Sequence, residues 1–119
     1  MWNVTWILML FLGAASGQTP GTCLHGDNES VPQRERRLAA IEYLKQTHAA
    51  QMRVRQERGT YAPLSSLGLS AAPVGFVPRL TFDQWNYQIS VKDLFDSCGF
   101  ALFSDHEGVI YAAHPTPNS

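Results

Sequence analysis

The pattern of apolar and polar residues after position 30 predicts one long helix. No Gly or Pro interrupts residues 34–58, which are dominated by good helix formers such as Ala, Leu, Glu, Gln, Lys and Arg. Ser30 is followed three positions later by Gln33, the spacing of an N-terminal capping box. Gly59 can end a helix because glycine adopts the left-handed conformation at little cost. We therefore predict a single helix over residues 30–58.

The apolar side chains of this helix fall on two faces at about 100° per residue. The first face is predicted to pack on a sheet and contains Ile41, Leu44, His48 and Met52, with Leu38 and Ala49 at its edge. The second face lies on roughly the opposite side and contains Tyr43, Ala50 and Val54, with Ala39. Two interpretations of the second face remain open: scattered surface apolar residues, which are common, or a surface covered by a partner chain.

The last third of the chain has the alternation of strands. A loop-rich connection over residues 59–78 leads to a predicted sheet over residues 79–113. In its clearest strand, Tyr87, Ile89 and Val91 alternate with polar residues, and the turn at residues 104–108 predicts a hairpin. The fold class predicted is α+β, with one long N-terminal helix packed on an antiparallel meander of three or four strands.

The first 17 residues have the pattern of an export signal. An apolar run over residues 4–12 is too short to span a bilayer comfortably, and small residues follow it up to Gly17. A retained N-terminal anchor is the alternative, because no Lys or Arg precedes the run. The predicted organisation is a signal peptide over 1–17, a flexible lead-in over 18–29, a globular domain over 30–114 and a tail over 115–119. The mature chain would then have no stable membrane span, and the protein would be in the periplasm, outside the cell or on its surface.

The chain has two cysteines, Cys23 and Cys98. In an exported protein, an even number of cysteines favours a disulfide. An internal bond would tie the lead-in to the third strand across most of the domain. Two unpaired thiols, or one thiol paired to another chain, are the alternatives.

Composition and charge exclude several classes of protein. A length of 119 residues, 45% of them hydrophobic, with a net charge of −1, indicates one small folded domain and no nonspecific binding of nucleic acid. The four histidines match no zinc spacing, and Cys23-Leu24-His25 lacks the orienting group that a catalytic dyad needs. We predict no catalytic residue, no metal site and no cofactor, so the protein is not expected to be an enzyme. His48 is predicted to be a core-edge histidine with one hydrogen-bonded ring nitrogen.

Three stretches in order carry a resemblance to a known family. They are Arg58-Gly59-Thr60-Tyr61-Ala62, then Leu64-Ser65-Ser66-Leu67-Gly68-Leu69, then a meander with Cys98-Gly99-Phe100-Ala101-Leu102. With the long helix before them, they resemble the globular half of type IV pilins and pseudopilins over about residues 35–113. The resemblance implies a subunit or accessory of an extracellular filament or secretion apparatus that acts by protein–protein interaction. A free-standing periplasmic or secreted binding module on the same fold is the alternative.

The chain departs from the pilin pattern at its N-terminus. A pilin has a processing site in which Phe follows Gly and Glu comes five residues on, whereas Gly13 is followed by Ala14 and then Gln18 at that spacing. The chain therefore resembles a pilin head without the membrane-embedded half of the helix. Such a head would dock on a separate protein chain, a short pilin or pseudopilin. We hypothesise that the docking surface contains Tyr43, Ala50 and Val54. Trp85, near a turn, is either a core aromatic or an exposed contact aromatic.

Overall fold

The computed structural model describes residues 23–113, which form one long helix on a four-stranded antiparallel sheet. The elements are α1 (Val31–Arg58), a 3-10 turn (Leu64–Ser66), β1 (Phe76–Phe82), β2 (Tyr87–Asp93), β3 (Ala101–Asp105) and β4 (Tyr111–Ala113). The strands lie in the order β1-β2-β3-β4. The predicted α+β class and antiparallel meander are confirmed. The predicted export signal and tail lie outside the described residues.

The boundaries of α1 follow from its capping residues. Ser30 Oγ accepts a hydrogen bond from the Gln33 backbone N–H at 3.3 Å, and Gly59 (φ 80°) donates from its N–H to the Arg55 carbonyl at 2.8 Å. The sheet begins at Phe76, three residues earlier than predicted. Pro78 was assigned to the loop, yet it lies within β1, because an edge strand tolerates a residue that cannot donate a ladder hydrogen bond.

The face of α1 that is buried differs from the predicted face. The buried residues are Ala40, Tyr43, Leu44, Thr47, Ala50, Gln51 and Val54. Leu38 and Met52 were predicted to pack on the sheet or at its edge, but they are exposed. The buried stripe is centred near Thr47, roughly 100° around the helix axis from the predicted stripe.

Two buried polar residues explain this rotation. Thr47 Oγ1 donates a hydrogen bond to the Tyr43 carbonyl at 2.8 Å. Gln51 forms two bonds to the backbone of Ala62: its Nε2 donates to the carbonyl at 2.6 Å, and its Oε1 accepts from the N–H at 2.9 Å. Because each polar group has a partner, both side chains are fully buried. A pattern built on apolar residues alone therefore misplaces the stripe.

The predicted docking surface of Tyr43, Ala50 and Val54 is wrong, because all three residues lie in the chain's own core. Tyr43 belongs to the main core between α1 and the sheet. Ala50 and Val54 pack with Ala62 and Leu67, which follow the helix and cover the face that was expected to be open. Gln51 holds this covering segment in place through its two hydrogen bonds to Ala62.

Replacing Gln51 by Ala is expected to lower the free energy of unfolding by about 2–3 kcal/mol. The variant leaves the N–H and the carbonyl of Ala62 buried without their partner, and each such group costs about 1–3 kcal/mol. Urea denaturation measures the change. The matched control is Gln56→Ala, the same substitution at an exposed position of the same helix, with an expected effect within about 0.5 kcal/mol. Equal costs for the two variants would show that the Gln51 bonds do not stabilise the fold.

The prediction for His48 is confirmed. The residue lies at the edge of the main core, and its Nδ1 is 2.7 Å from the hydroxyl of the fully buried Tyr87. Burial raises the pKa of that hydroxyl above its ordinary range, so it remains protonated and can donate to His48.

Candidate functional site

The lead-in is fastened to the domain from Cys23 onward. The predicted disulfide is confirmed: Cys23 and Cys98 are bonded, with their Cα atoms 5.4 Å apart. Cys98 lies in the loop between β2 and β3, and not in the third strand as predicted. Asp96 adds a second link, because its Oδ1 accepts hydrogen bonds from the N–H groups of Leu24 (3.1 Å) and Cys98 (3.0 Å). The predicted flexible lead-in over 18–29 is therefore wrong for residues 23–29.

A buried group of charged side chains lies beside this disulfide. His25 is almost fully buried; its Nδ1 is 2.5 Å from Glu29 Oε2 and its Nε2 is 2.7 Å from Asp93 Oδ2. Arg37 pairs with Glu29 at 2.9 Å. Arg36 pairs with both oxygens of Asp93 at 2.9 Å. We call these five residues the His25 network. It joins the lead-in, the first turns of α1 and the end of β2.

The hydrogen bonds determine the charges in the His25 network. The pKa of Glu29 is lowered, chiefly by the hydrogen bond from Arg37. Burial raises the pKa of Asp93, but the hydrogen bonds from Arg36, His25 and the Phe95 N–H outweigh it, so the net shift is downward. Each ring nitrogen of His25 lies within hydrogen-bonding distance of one carboxylate. The network thus links two guanidinium groups and one imidazole to two carboxylates.

The chemistry available in the His25 network is ion pairing. A cleft of about 240 Å³ borders His25, Glu29 and Arg37, but each of these side chains is already bonded within the network. The two cysteine sulfurs and a carboxylate oxygen of Asp96 lie within 4.8 Å of one another. A metal ligand at cysteine is a thiolate, and these sulfurs are bonded to each other. The disulfide and the His25 network together therefore hold the lead-in to the domain by covalent and ionic bonds, and we call the two together the clamp.

The clamp positions an exposed apolar cluster at the N-terminal end of α1. The guanidinium of Arg36 lies between the rings of Phe76 and Phe95, at 4.7 and 4.9 Å from their centroids. It also donates to the Val74 carbonyl at 2.8 Å. The side chains of Val74, Leu94 and Phe95 are 78%, 62% and 58% exposed. We call these three residues the apolar knob.

Two hydrogen bonds fix the backbone of the apolar knob. The Leu94 N–H donates to the Gly75 carbonyl at 2.8 Å, and the Phe95 N–H donates to Asp93 Oδ1 at 3.0 Å. Gly75 has φ +87°, and a Cβ at this position would lie 2.6 Å from atoms of Arg36 and of Phe95. Only glycine fits there, so the close packing of the two loops depends on it.

A second exposed surface is the side of the sheet that faces away from α1. Its side chains alternate with the buried Tyr87, Ile89 and Val91 of β2. We call it the outer sheet face; its members on the described strands are Val77, Arg79, Thr81, Gln88, Ser90, Lys92, Ala101, Phe103, Asp105, Tyr111 and Ala113. Ala101 is buried, and Ser90 and Asp105 are half-buried. Phe103 and Tyr111 are exposed and lie next to a shallow cleft of about 400 Å³.

The remaining predicted contact residue lies apart from both surfaces. Trp85 is in the turn between β1 and β2 and is 66% exposed, so the core interpretation does not apply to it. Sequence reasoning identified neither the His25 network nor the apolar knob.

No helix within residues 23–113 is long and apolar enough to cross a membrane. No model of a known protein family matches the chain, and no curated protein matches it either.

Proposed function

We propose that this chain is an exported, non-enzymatic, pilin-like protein that acts by protein–protein contact as a subunit or accessory of an extracellular filament or secretion apparatus. Its helix on an antiparallel meander has the architecture that the family resemblance implies. A disulfide is typical of proteins in oxidising compartments outside the cytoplasm. The observation that carries the proposal is the apolar knob.

The apolar knob has the properties of an interface anchor. Three neighbouring apolar side chains, each more than half exposed, form a patch of the kind that marks binding surfaces. One member, Phe95, is an aromatic ring already seated on a guanidinium. The backbone of the apolar knob is fixed, and a preorganised anchor of this kind loses little conformational entropy when a partner binds. Interfaces draw most of their affinity from a few such residues.

The position of the apolar knob indicates the kind of partner. Arg36, in the second turn of α1, contacts both Val74 and Phe95, so the knob lies beside the N-terminal end of the helix. In the pilins that the sequence resembles, the helix continues from this end into its membrane-embedded half. A separate short pilin or pseudopilin would supply an apolar helix at the same place, and an apolar helix is a suitable partner for an apolar patch.

Photo-crosslinking in the producing cells tests this proposal. A photoreactive phenylalanine analogue at Leu94 is expected to capture one chain of a filament or secretion apparatus, identified by mass spectrometry. The same analogue at Gln46, which is exposed on α1, is the matched control and is expected to capture no such chain. A folded, exported protein that forms no crosslink from position 94, or the same products from both positions, would contradict the proposal.

A further inference from the structure

The strand register arranges the outer sheet face into three rows that run from β1 towards β4. The middle row is Arg79, Ser90, Phe103 and Tyr111. The row on one side is Thr81, Gln88 and Asp105, and the row on the other side is Val77, Lys92, Ala101 and Ala113. The aromatic side chains of Phe103 and Tyr111 lie towards one end of the middle row, and the small Ser90 lies beside Phe103.

We propose that a second copy of this chain covers the outer sheet face in a two-fold, face-to-face dimer. A two-fold axis parallel to the strands, between β2 and β3, reverses the order of each row in the partner. β1 then lies opposite β4, and β2 lies opposite β3. The strands of the two sheets remain nearly aligned, which is one of the two ways in which sheets pack face to face.

This symmetry places large side chains opposite small ones. Phe103 faces the partner's Ser90, and by symmetry Ser90 faces the partner's Phe103. Val77 faces the partner's Ala113 in the neighbouring row. Facing sheets pack well when side chains interdigitate in this way, since close-packed interiors leave few voids. In the middle row, Arg79 faces the ring of the partner's Tyr111, a pairing that favours a cation–π contact.

The charges of Arg79 and Asp105 on the outer sheet face are also complementary under this symmetry. Neither Arg79 nor Asp105 forms an ion pair within residues 23–113. Asp105 faces the partner's Gln88, and the partner's Arg79 lies one strand and one row away, within reach of a long side chain. Each such pair joins Asp105 of one subunit to Arg79 of the other, so the dimer contains two equivalent pairs. Lys92, the third charged side chain of the face, lies opposite the partner's Ala101.

The size of the face predicts a reversible dimer. Four strands about 4.8 Å apart and about 24 Å long at most form a small patch, at the low end of specific interfaces. We therefore expect dimerisation to depend on protein concentration. The outer sheet face and the apolar knob share no residue, so this inference does not depend on the proposed function.

Analytical ultracentrifugation of the exported chain with its disulfide intact tests the dimer. The wild type is expected to shift from monomer to dimer as its concentration rises. Ser90→Trp fills the space that receives the partner's Phe103 and is expected to keep the protein monomeric. Ser65→Trp, at an exposed position away from the sheet, is the control and is expected to dimerise like the wild type. A wild type that stays monomeric, or a dimer unaffected by Ser90→Trp, would overturn the proposal.

Cysteine crosslinking tests the orientation separately. Ser90→Cys and Phe103→Cys are prepared as single variants and then mixed under mild oxidation. The proposed symmetry predicts a crosslinked dimer in the mixture and less in either variant alone, because two copies of the same position are offset by one strand across the interface. A mixture of Ser65→Cys with Phe103→Cys is expected to stay uncrosslinked. Absence of a crosslink from the first mixture, with both variants folded, would overturn the orientation.

Discussion

Replacing Asp93 by Asn is expected to lower the free energy of unfolding by about 3–5 kcal/mol, the range for breaking a buried ion pair. The carboxylate is fully buried and bonds to Arg36, to His25 and to the Phe95 N–H. Asparagine keeps the shape but removes the charge. Arg36 would then hold its positive charge against a neutral group, and His25 Nε2 would lose its carboxylate partner.

Urea denaturation of the Asp93→Asn variant at several pH values measures this loss. The pKa of Asp93 is lowered in the folded protein, so its stabilising effect is complete above the ordinary aspartate pKa of about 3.9 and is lost as the pH falls through the folded value. The difference in free energy of unfolding between the wild type and the variant should therefore become smaller in acid. Asp27→Asn, at an exposed position of the same lead-in, is the control. Equal stability of wild type and Asp93→Asn at neutral pH would contradict this account of the His25 network.

Reducing the disulfide is expected to cost about 4 kcal/mol. Cys23 and Cys98 are 75 residues apart, and a crosslink over such a loop restricts the unfolded chain by about that free energy in the chain-entropy model. Urea denaturation with and without reductant measures the change. The double variant Cys23→Ser/Cys98→Ser is the control, and its unfolding midpoint should be the same with and without reductant. An unfolding midpoint of the wild type that does not move on reduction would contradict the prediction.

Local signals in the sequence predicted the elements well. The helix ends where Ser30 and Gly59 cap it, because capping depends on residues within one turn of each end. The alternation of Tyr87, Ile89 and Val91 predicted β2 correctly, because one of its faces packs on α1. The disulfide could be predicted because only one internal pairing of two cysteines exists.

The face of α1 could not be predicted from hydropathy, because Thr47 and Gln51 are buried through hydrogen bonds that the sequence does not reveal. The sequence contains one signal of the His25 network. Asp93 continues the buried alternation of β2, and an acid in that position needs a cationic partner. The partner itself, Arg36, is 57 residues away, and only the folded chain brings the two together.

The apolar knob was missed for a related reason. Val74 and Leu94 are far apart in sequence, and each alone looks like an ordinary loop residue. The register of the first hairpin pairs Phe76 with Asp93, which places the residues just outside that pair side by side. The knob therefore depends on the pairing of β1 with β2.

The most direct test of the proposed function is complementation of producing cells that lack this protein. Val74→Ser/Leu94→Ser removes most of the apolar knob and leaves the His25 network intact. We expect this variant to accumulate with its disulfide formed but to fail to support filament assembly or secretion. Leu38→Ser, which removes an exposed apolar side chain from α1, should complement like the wild type. Full complementation by the knob variant would contradict the claim that the protein acts through this surface.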